Sequence, residues 1–365
     1  MKIDVGIEKL KDAVLLASRF VSRGATLEAL QGILLIAEGK SLTLRATNLE
    51  CGVEVSVPAR IEDPGLIAVQ SGPFTSLISN TLGVKGVTLS KNEKTLSVIT
   101  EHSNSIIKTV SHEDFPILPT VSGENSLTLD AREFSKTLRS VAFCASLSSI
   151  KPELQSVCMY VQGGKLYAAA TDSFRLAEKS YTLKHGDMEQ LLIPIRNAAE
   201  LIRILERAEG KIDVYYSENQ LSVRTGDTYF TTRLIDGTFP NYRQILPTSF
   251  STEAVVLRED LTTSLKTLSI FADKSAQVRI AVNAKKKEVT FSARNPDIGE
   301  HAVSLPATLS GEAVEMHFNG RYIADALSSI TDESVRLGFN GVGKPLAISP
   351  ASDTSFRYIV MPMNR

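Results

Sequence analysis

Apolar residues recur along this chain in two rhythms. In the first they fall three and four positions apart. Leu10, Ala13, Val14 and Ala17 do so between Glu8 and Phe20. Phe134, Leu138 and Val141 repeat the spacing between Arg132 and Phe143, and Leu261, Leu265 and Leu268 repeat it between Asp260 and Phe271. Such spacing lines up one apolar stripe on an α-helix. A second set of helices is predicted where Ser71-Gly72-Pro73-Phe74, Ile195-Arg196-Asn197-Ala198 and Asn319-Gly320-Arg321-Tyr322 open further stripes. These stripes run through Leu77, Ile78 and Leu82, through Leu201, Ile202 and Leu205, and through Ile323, Ala326, Leu327 and Ile330. The second rhythm is strict alternation. It occupies Ser41–Arg45, Thr95–Ile99, Gln220–Arg224 and Glu288–Ser292, and predicts half-buried antiparallel strands. Turn formers such as Glu38-Gly39-Lys40, Gln162-Gly163-Gly164 and Glu218-Asn219 precede several strands.

The elements repeat. Positions 72, 196 and 320 open the second helices at a constant step of 124 residues. Thr47-Asn48-Leu49-Glu50 returns as Thr171-Asp172-Ser173-Phe174, and the Phe115-Pro116 element returns around Phe239-Pro240. Three similar domains follow, at 1–122, 123–248 and 249–365, each with two short helices set among roughly eight strands. The expected class is α+β. A helix with one apolar stripe needs a sheet to cover it, and its other face is left for solvent or a ligand.

Composition narrows the function. The 365 residues are 43% hydrophobic and 22% charged, an ordinary globular profile and not a disordered one. No apolar run reaches the length of a membrane span, and Met1-Lys2-Ile3-Asp4 opens no secretory signal. Cys51, Cys144 and Cys158 read as reduced thiols of a cytoplasmic protein. Lys and Arg number 40 against 41 acids, and no third of the chain is a basic module. That balance speaks against a protein held on nucleic acid by charge alone.

Where the charges lie matters more than their sum. Arg132, Lys136 and Arg139 share one face of a predicted helix, as do Arg196, Arg203 and Arg207. Lys9, Arg19 and Arg23 in the first third, and Lys266, Lys274 and Arg321 in the last, are looser counterparts. Such faces are either solvated or phosphate-facing. No aromatic residues interleave them, which argues against stacking on single strands.

Catalytic motifs fail. Gly338-Phe-Asn-Gly-Val-Gly343-Lys344 resembles a phosphate-binding loop, but Pro345 stands where a Mg²⁺-ligating hydroxyl is needed, and a strand pattern follows. It reads instead as a glycine-rich hairpin. The five histidines have no metal-site spacing. Asp172 beside Arg175 reads as an ion pair or turn cap before it reads as acid/base machinery. No cofactor is expected.

Taken in order, several segments resemble the bacterial DNA polymerase III beta subunit, the sliding-clamp family. Thr171-Asp-Ser-Phe-Arg-Leu-Ala177 is similar to the family's Thr-Asp-Gly-His-Arg-Leu-Ala. Phe239-Pro-Asn-Tyr-Arg-Gln-Ile-Leu-Pro247 is similar to Phe-Pro-Asp-Tyr-Arg-Arg-Val-Leu-Pro, and Tyr358-Ile-Val-Met-Pro-Met363 to Tyr-Val-Val-Met-Pro-Met. Lys151-Pro-Glu-Leu154 resembles Arg-Pro-x-Leu.

The resemblance covers the whole chain. It implies a non-catalytic processivity factor built as a head-to-tail homodimeric ring, with helices lining the hole and sheets outside. Double-stranded DNA passes through, and Arg23, Arg132, Lys136, Arg139, Arg196, Arg203 and Arg207 are the candidate contacts. It also implies a peptide-binding cleft. Leu154, Thr171, Ser173, Phe174, Arg175, Leu176 and Pro240 come from the second third. Gln244 and Ile245 follow, and Tyr322, Ile359, Met361, Pro362 and Met363 come from the last. Implied partners are the polymerase III catalytic subunit, the clamp loader, and other polymerases or ligase carrying short linear motifs. Ile270 and Phe271 match the apolar pair of the dimer seam, with Ile106 or Ile107 expected to face them. Ser173-Phe174 for Gly-His and Gln244 for arginine are departures at the cleft rim.

Overall fold

The computed structural model describes residues 1–22, 24–121, 125–148 and 150–363. Six helices occur among them. They are α1 (Ile7–Ala17), α2 (Ser71–Asn80), α3 (Ala131–Ala142), α4 (Ile195–Arg207), α5 (Arg258–Phe271) and α6 (Gly320–Ser328). All six stand where the apolar spacing puts them. Helix α1 stops short of Phe20 because the chain tightens: the Arg19 and Phe20 N–H groups donate to the carbonyls of Leu16 and Ala17, three residues back. That tightening drops Phe20 into the core. Helix α2 also ends before its apolar stripe does. The Thr81 hydroxyl donates to the Leu77 carbonyl at 2.8 Å, and Leu82 is left exposed. Asn319 caps α6, its side chain accepting from the Arg321 and Tyr322 N–H groups.

The chain divides into two compact units that cut across its repeat. One holds Met1–Arg132 and Arg203–Leu234, the other Glu133–Ile202 and Ile235–Arg365. In the first, one twelve-stranded order runs through the strands of the first third and continues into four strands of the middle third. The join is strand Cys51–Asp63 against strand Thr228–Arg233, with Phe230 opposite Val53. In the second unit a nine-stranded sheet joins the rest of the middle third to the last third. There strand Arg175–Thr182 pairs with Phe356–Val360, and Leu176 lies opposite Ile359. A four-stranded sheet with Gly299–Pro306 at one edge completes that unit, and α5 packs on it.

Both joins are built alike, down to the turn that precedes them. The Thr47 hydroxyl donates to the Cys51 carbonyl at 2.9 Å, and Asn48 Oδ1 accepts from the Glu50 and Cys51 N–H groups. The Thr171 hydroxyl donates to the Arg175 carbonyl at 2.7 Å, and Asp172 Oδ1 accepts from the Phe174 and Arg175 N–H groups. Leu49 and Ser173, at φ 73° and 78°, hold the same left-handed corner. The incoming strand is then caught by the same bond in each case. Arg233 N–H donates to Glu50 O at 2.9 Å, and Met361 N–H donates to Phe174 O at 2.8 Å.

The Gly338–Lys344 segment ends one strand and forms the turn of a hairpin, Ser334–Phe339 against Leu346–Pro350. Among the described residues no helix is long and apolar enough to cross a membrane, and no cluster of His, Cys, Asp and Glu could hold a metal ion. The three cysteines are buried free thiols.

In the first unit Phe20 and Phe230, both fully buried, meet edge to face with ring centroids 5.9 Å apart. They tie the first third to the strand it borrows from the second. Phe230→Ala is expected to cost about 3–5 kcal/mol in urea unfolding. A double-mutant cycle with Phe20→Ala is expected to return a coupling of about 0.5–1.5 kcal/mol.

Candidate functional site

Arg175 is the node of the candidate cleft. Its guanidinium donates to Asp172 at 3.0 Å, to Asp325 of α6 at 2.6 Å and to the Phe143 carbonyl at 2.9 Å. It also lies over the Tyr322 ring at 4.2 Å and faces the Phe143 ring at 5.5 Å. Burial opposes the charge, but the hydrogen bond to Asp325 and the neighbouring acids outweigh it and raise the pKa further. Arg175 is therefore a fixed cation that spans from the 171–175 turn to α6. Asp172 with Arg175 is a turn cap and an ion pair at once.

Around this node the structure brings together part of the expected cleft by direct contact. Thr171, Ser173 and Phe174 form the turn, and Met361 is bonded to its backbone. Tyr322 is held from above by Arg175, and its carbonyl accepts from the Tyr358 hydroxyl at 2.8 Å. Leu176 and Ile359 are buried and belong to the floor, in a core cluster with Phe239, Tyr242 and Leu246. Phe174, Ile245 and Met361 are 63%, 54% and 42% exposed, an unusual set of apolar side chains to leave in water. Pro240 leads into the 3-10 turn Tyr242–Ile245, which leaves Gln244 exposed. Leu154 is buried in its own 3-10 turn, Pro152–Gln155. Pro362 and Met363 are half-buried, and Met363 N–H donates to the His317 carbonyl at 2.8 Å.

Sequence reading missed Asp325 and Phe143, the other anchors of Arg175. A signal for Asp325 existed, since it stands three residues after Tyr322 on the same helical face. A buried tyrosine network was also missed. Tyr160 and Tyr242 share a 2.6 Å hydrogen bond, and the Tyr242 hydroxyl donates to Glu178 at 2.7 Å. Burial pushes the Tyr160 phenol up to about 12 and the Tyr242 phenol higher still.

The basic helix faces stand as the spacing predicts. Arg132, Lys136 and Arg139 are exposed on α3, where Phe134, Leu138 and Val141 are buried. Arg196, Arg203 and Arg207 are exposed on α4, where Leu201, Ile202 and Leu205 are buried. Arg23 lies outside the described residues.

At the expected seam, strand Asn104–Val110 points Ile106 outward, 66% exposed, and turns Ile107 into the core. Alternation permits only one of the pair to face outward, so Ile107 is a core residue. Among the described residues, 104–108 of this strand pair on one side only. On α5, Ile270 is 61% exposed and Phe271 stacks on His301 of the edge strand Gly299–Pro306 at 5.5 Å.

Three family models match nearly the whole chain. The N-terminal, central and C-terminal domains of the DNA polymerase III beta subunit match residues 1–119, 128–241 and 243–364. A beta sliding clamp of Synechococcus elongatus is 27% identical, covering 100% of this chain and 99% of the relative. One from Staphylococcus aureus is 26% identical, covering 100% and 98%. Among solved structures, the DNA polymerase III subunit beta of Pseudomonas aeruginosa superposes with a TM-score of 0.94 at 25% identity, covering 100% of both chains. The Thermotoga maritima beta subunit does so with 0.93 at 25%, covering 100% of this chain and 99% of that one. The fold is thus the three-domain clamp fold of a non-catalytic processivity factor. The chain belongs to the DNA polymerase III beta subunit family and serves DNA replication as a sliding clamp.

The Arg175 side chain is 12% exposed and that of Asp172 is 16% exposed, whereas Asp325 is 47% exposed. Arg175→Met leaves Asp172 shielded from water without its cation, and is expected to cost about 3 kcal/mol in urea unfolding. Asp325→Asn is expected to cost less than about 1 kcal/mol.

Proposed function

We propose that two copies of this chain close head to tail into a ring around duplex DNA, each contributing three domains at 1–122, 123–248 and 249–365. The observation that carries this reading is the repeated join. Successive thirds are sewn by one strand pairing and one turn, used twice. Among the described residues, free strand edges remain in the first and last thirds, at 104–108 and at Gly299–Pro306. A contact of the same kind between copies is heterologous, and it closes when its rotation divides a full turn. Ile106 of one copy then faces Ile270 and Phe271 of the other.

The exposed cations Arg132, Lys136, Arg139, Arg196, Arg203 and Arg207 line the hole, with Arg23 assigned by resemblance. Near-neutral overall charge suits this arrangement. A ring is retained by topology, and weak contacts that exchange readily among phosphates let it slide. The cleft around Arg175, Tyr322 and Met361 takes short apolar segments of the replicative polymerase, the clamp loader, and other polymerases or ligase in the cytoplasm. Its two methionines and exposed aromatic ring suit a surface with several partners. Tethering works through effective concentration, because a polymerase that releases its primer stays beside it.

Retention on DNA tests the reading. After loading, the protein is expected to stay on nicked circular DNA through a high-salt wash and to slip off once that DNA is linearised. Equal loss from both forms sinks the ring. Arg196→Glu with Arg203→Glu is expected to lower loading on the circle while leaving peptide binding unchanged.

A further inference from the structure

The sheet face that carries the candidate cleft has a second, polar half. Along strand Arg175–Thr182, Leu176, Glu178, Ser180 and Thr182 point to one side. Leu176 forms the apolar floor, together with Ile359. The segment Phe239–Leu246 crosses over the middle, where Tyr242 bonds to Glu178. Beyond that crossing the face is uncovered. It forms a hollow of about 430 Å³ lined by Lys165, Arg243 and Arg357, by Glu178, and by the hydroxyl residues Ser180, Thr182 and Ser355, of which Ser355 already donates to Asp353. Lys165 stands opposite Thr182, and Arg357 opposite Glu178, in adjoining strands.

The local acids are already engaged. Glu178 accepts from Tyr242 and lies 3.8 Å from Arg243. Asp353 pairs with Lys179 at 3.0 Å. Burial opposes its charge, but hydrogen bonds from Ser355 and Lys179 prevail and hold its pKa at about 2. Asp187 and Glu189 line a different hollow, beside Tyr160. Lys165 and Arg357 have no ion-pair partner among the described residues, and Arg243 stacks on the Tyr167 ring at 4.2 Å as a preformed wall. Two cations without an acid partner, beside the hydroxyls of Ser180 and Thr182, fit carboxylates.

The two halves are close enough for one ligand. Leu176 and Thr182 lie six positions apart on one strand, a span of about 20 Å with the Phe239–Leu246 crossing between them, so a chain that passes over the crossing needs more than about six extended residues. We infer that this basic hollow receives an acidic flank of the same partner peptide whose apolar residues occupy the cleft, the two separated by at least about six residues. The inference rests on the cleft reading and names the class of partner: an apolar anchor with a cluster of Asp or Glu beside it.

Random 16-residue peptides displayed on phage, selected on the full-length protein, test it. Selection is expected to enrich an apolar cluster with acidic residues on one side of it. On Lys165→Gln/Arg357→Gln the apolar cluster is expected to persist and the acids to vanish. Both residues lie at the surface, and unchanged thermal unfolding of the double variant checks its fold. For one enriched peptide, replacing its acids by Asn and Gln is expected to weaken anisotropy-measured binding about three- to tenfold on the wild type and not at all on the double variant. Apolar enrichment without acids, or with acids equally enriched on the double variant, overturns this inference alone. Absence of any apolar enrichment that Met361→Asp removes overturns the cleft reading and this inference with it.

Discussion

Backbone edges govern this molecule. A β-strand at the rim of a sheet carries a row of N–H and C=O groups that must find partners or face water. Here residues 51–55 of the strand Cys51–Asp63 pair with Thr228–Arg233, and residues 175–179 of Arg175–Thr182 pair with Phe356–Val360. The strands of the middle third divide accordingly between two compact units. The same constraint leaves residues 104–108 and Gly299–Pro306 open. In the proposed ring these edges, with Ile106 and Ile270 beside them, form the seam.

The turn that feeds each join has diverged in use while keeping its bonds. Thr47–Cys51 and Thr171–Arg175 share their hydroxyl and carboxamide or carboxylate contacts. Cys51 closes the first turn as a small buried residue, whereas Arg175 closes the second as a cation reaching Asp325 and Tyr322. One substitution at an equivalent position separates a structural corner from the node of a candidate site. Ser173, where the family pattern has glycine, accepts the left-handed corner at some conformational cost. The hydrogen bond from its N–H to Thr171 Oγ1, 3.2 Å long, helps hold it there.

Charge follows a similar economy. Arg132, Lys136 and Arg139 stay exposed because α3 buries its other sides, including Ser135, Thr137 and Ser140. A helix packed on most of its circumference has one narrow strip left for function. With 40 basic and 41 acidic residues in all, that strip can be basic without making the chain so.

Local periodicity determined the helices and several strands, because side-chain spacing of 3.6 or 2 is a property of short segments, and motifs recurring at a 124-residue step marked the repeat. The basic strips on α3 and α4 were legible for the same reason, and Ile270 and Phe271 stood out only by their resemblance to a known family. Only the tertiary structure decided which of Ile106 and Ile107 faces out, since one register of the strand settles both. Only it joined Arg175 to Asp325, 150 positions away, and laid the Phe239–Leu246 crossing over the sheet so that one face became an apolar cleft and a basic hollow. Those contacts depend on which strands meet across the repeat. Pairing between distant segments is chosen by the sum of backbone edges and buried area over the whole chain, not by any window of it.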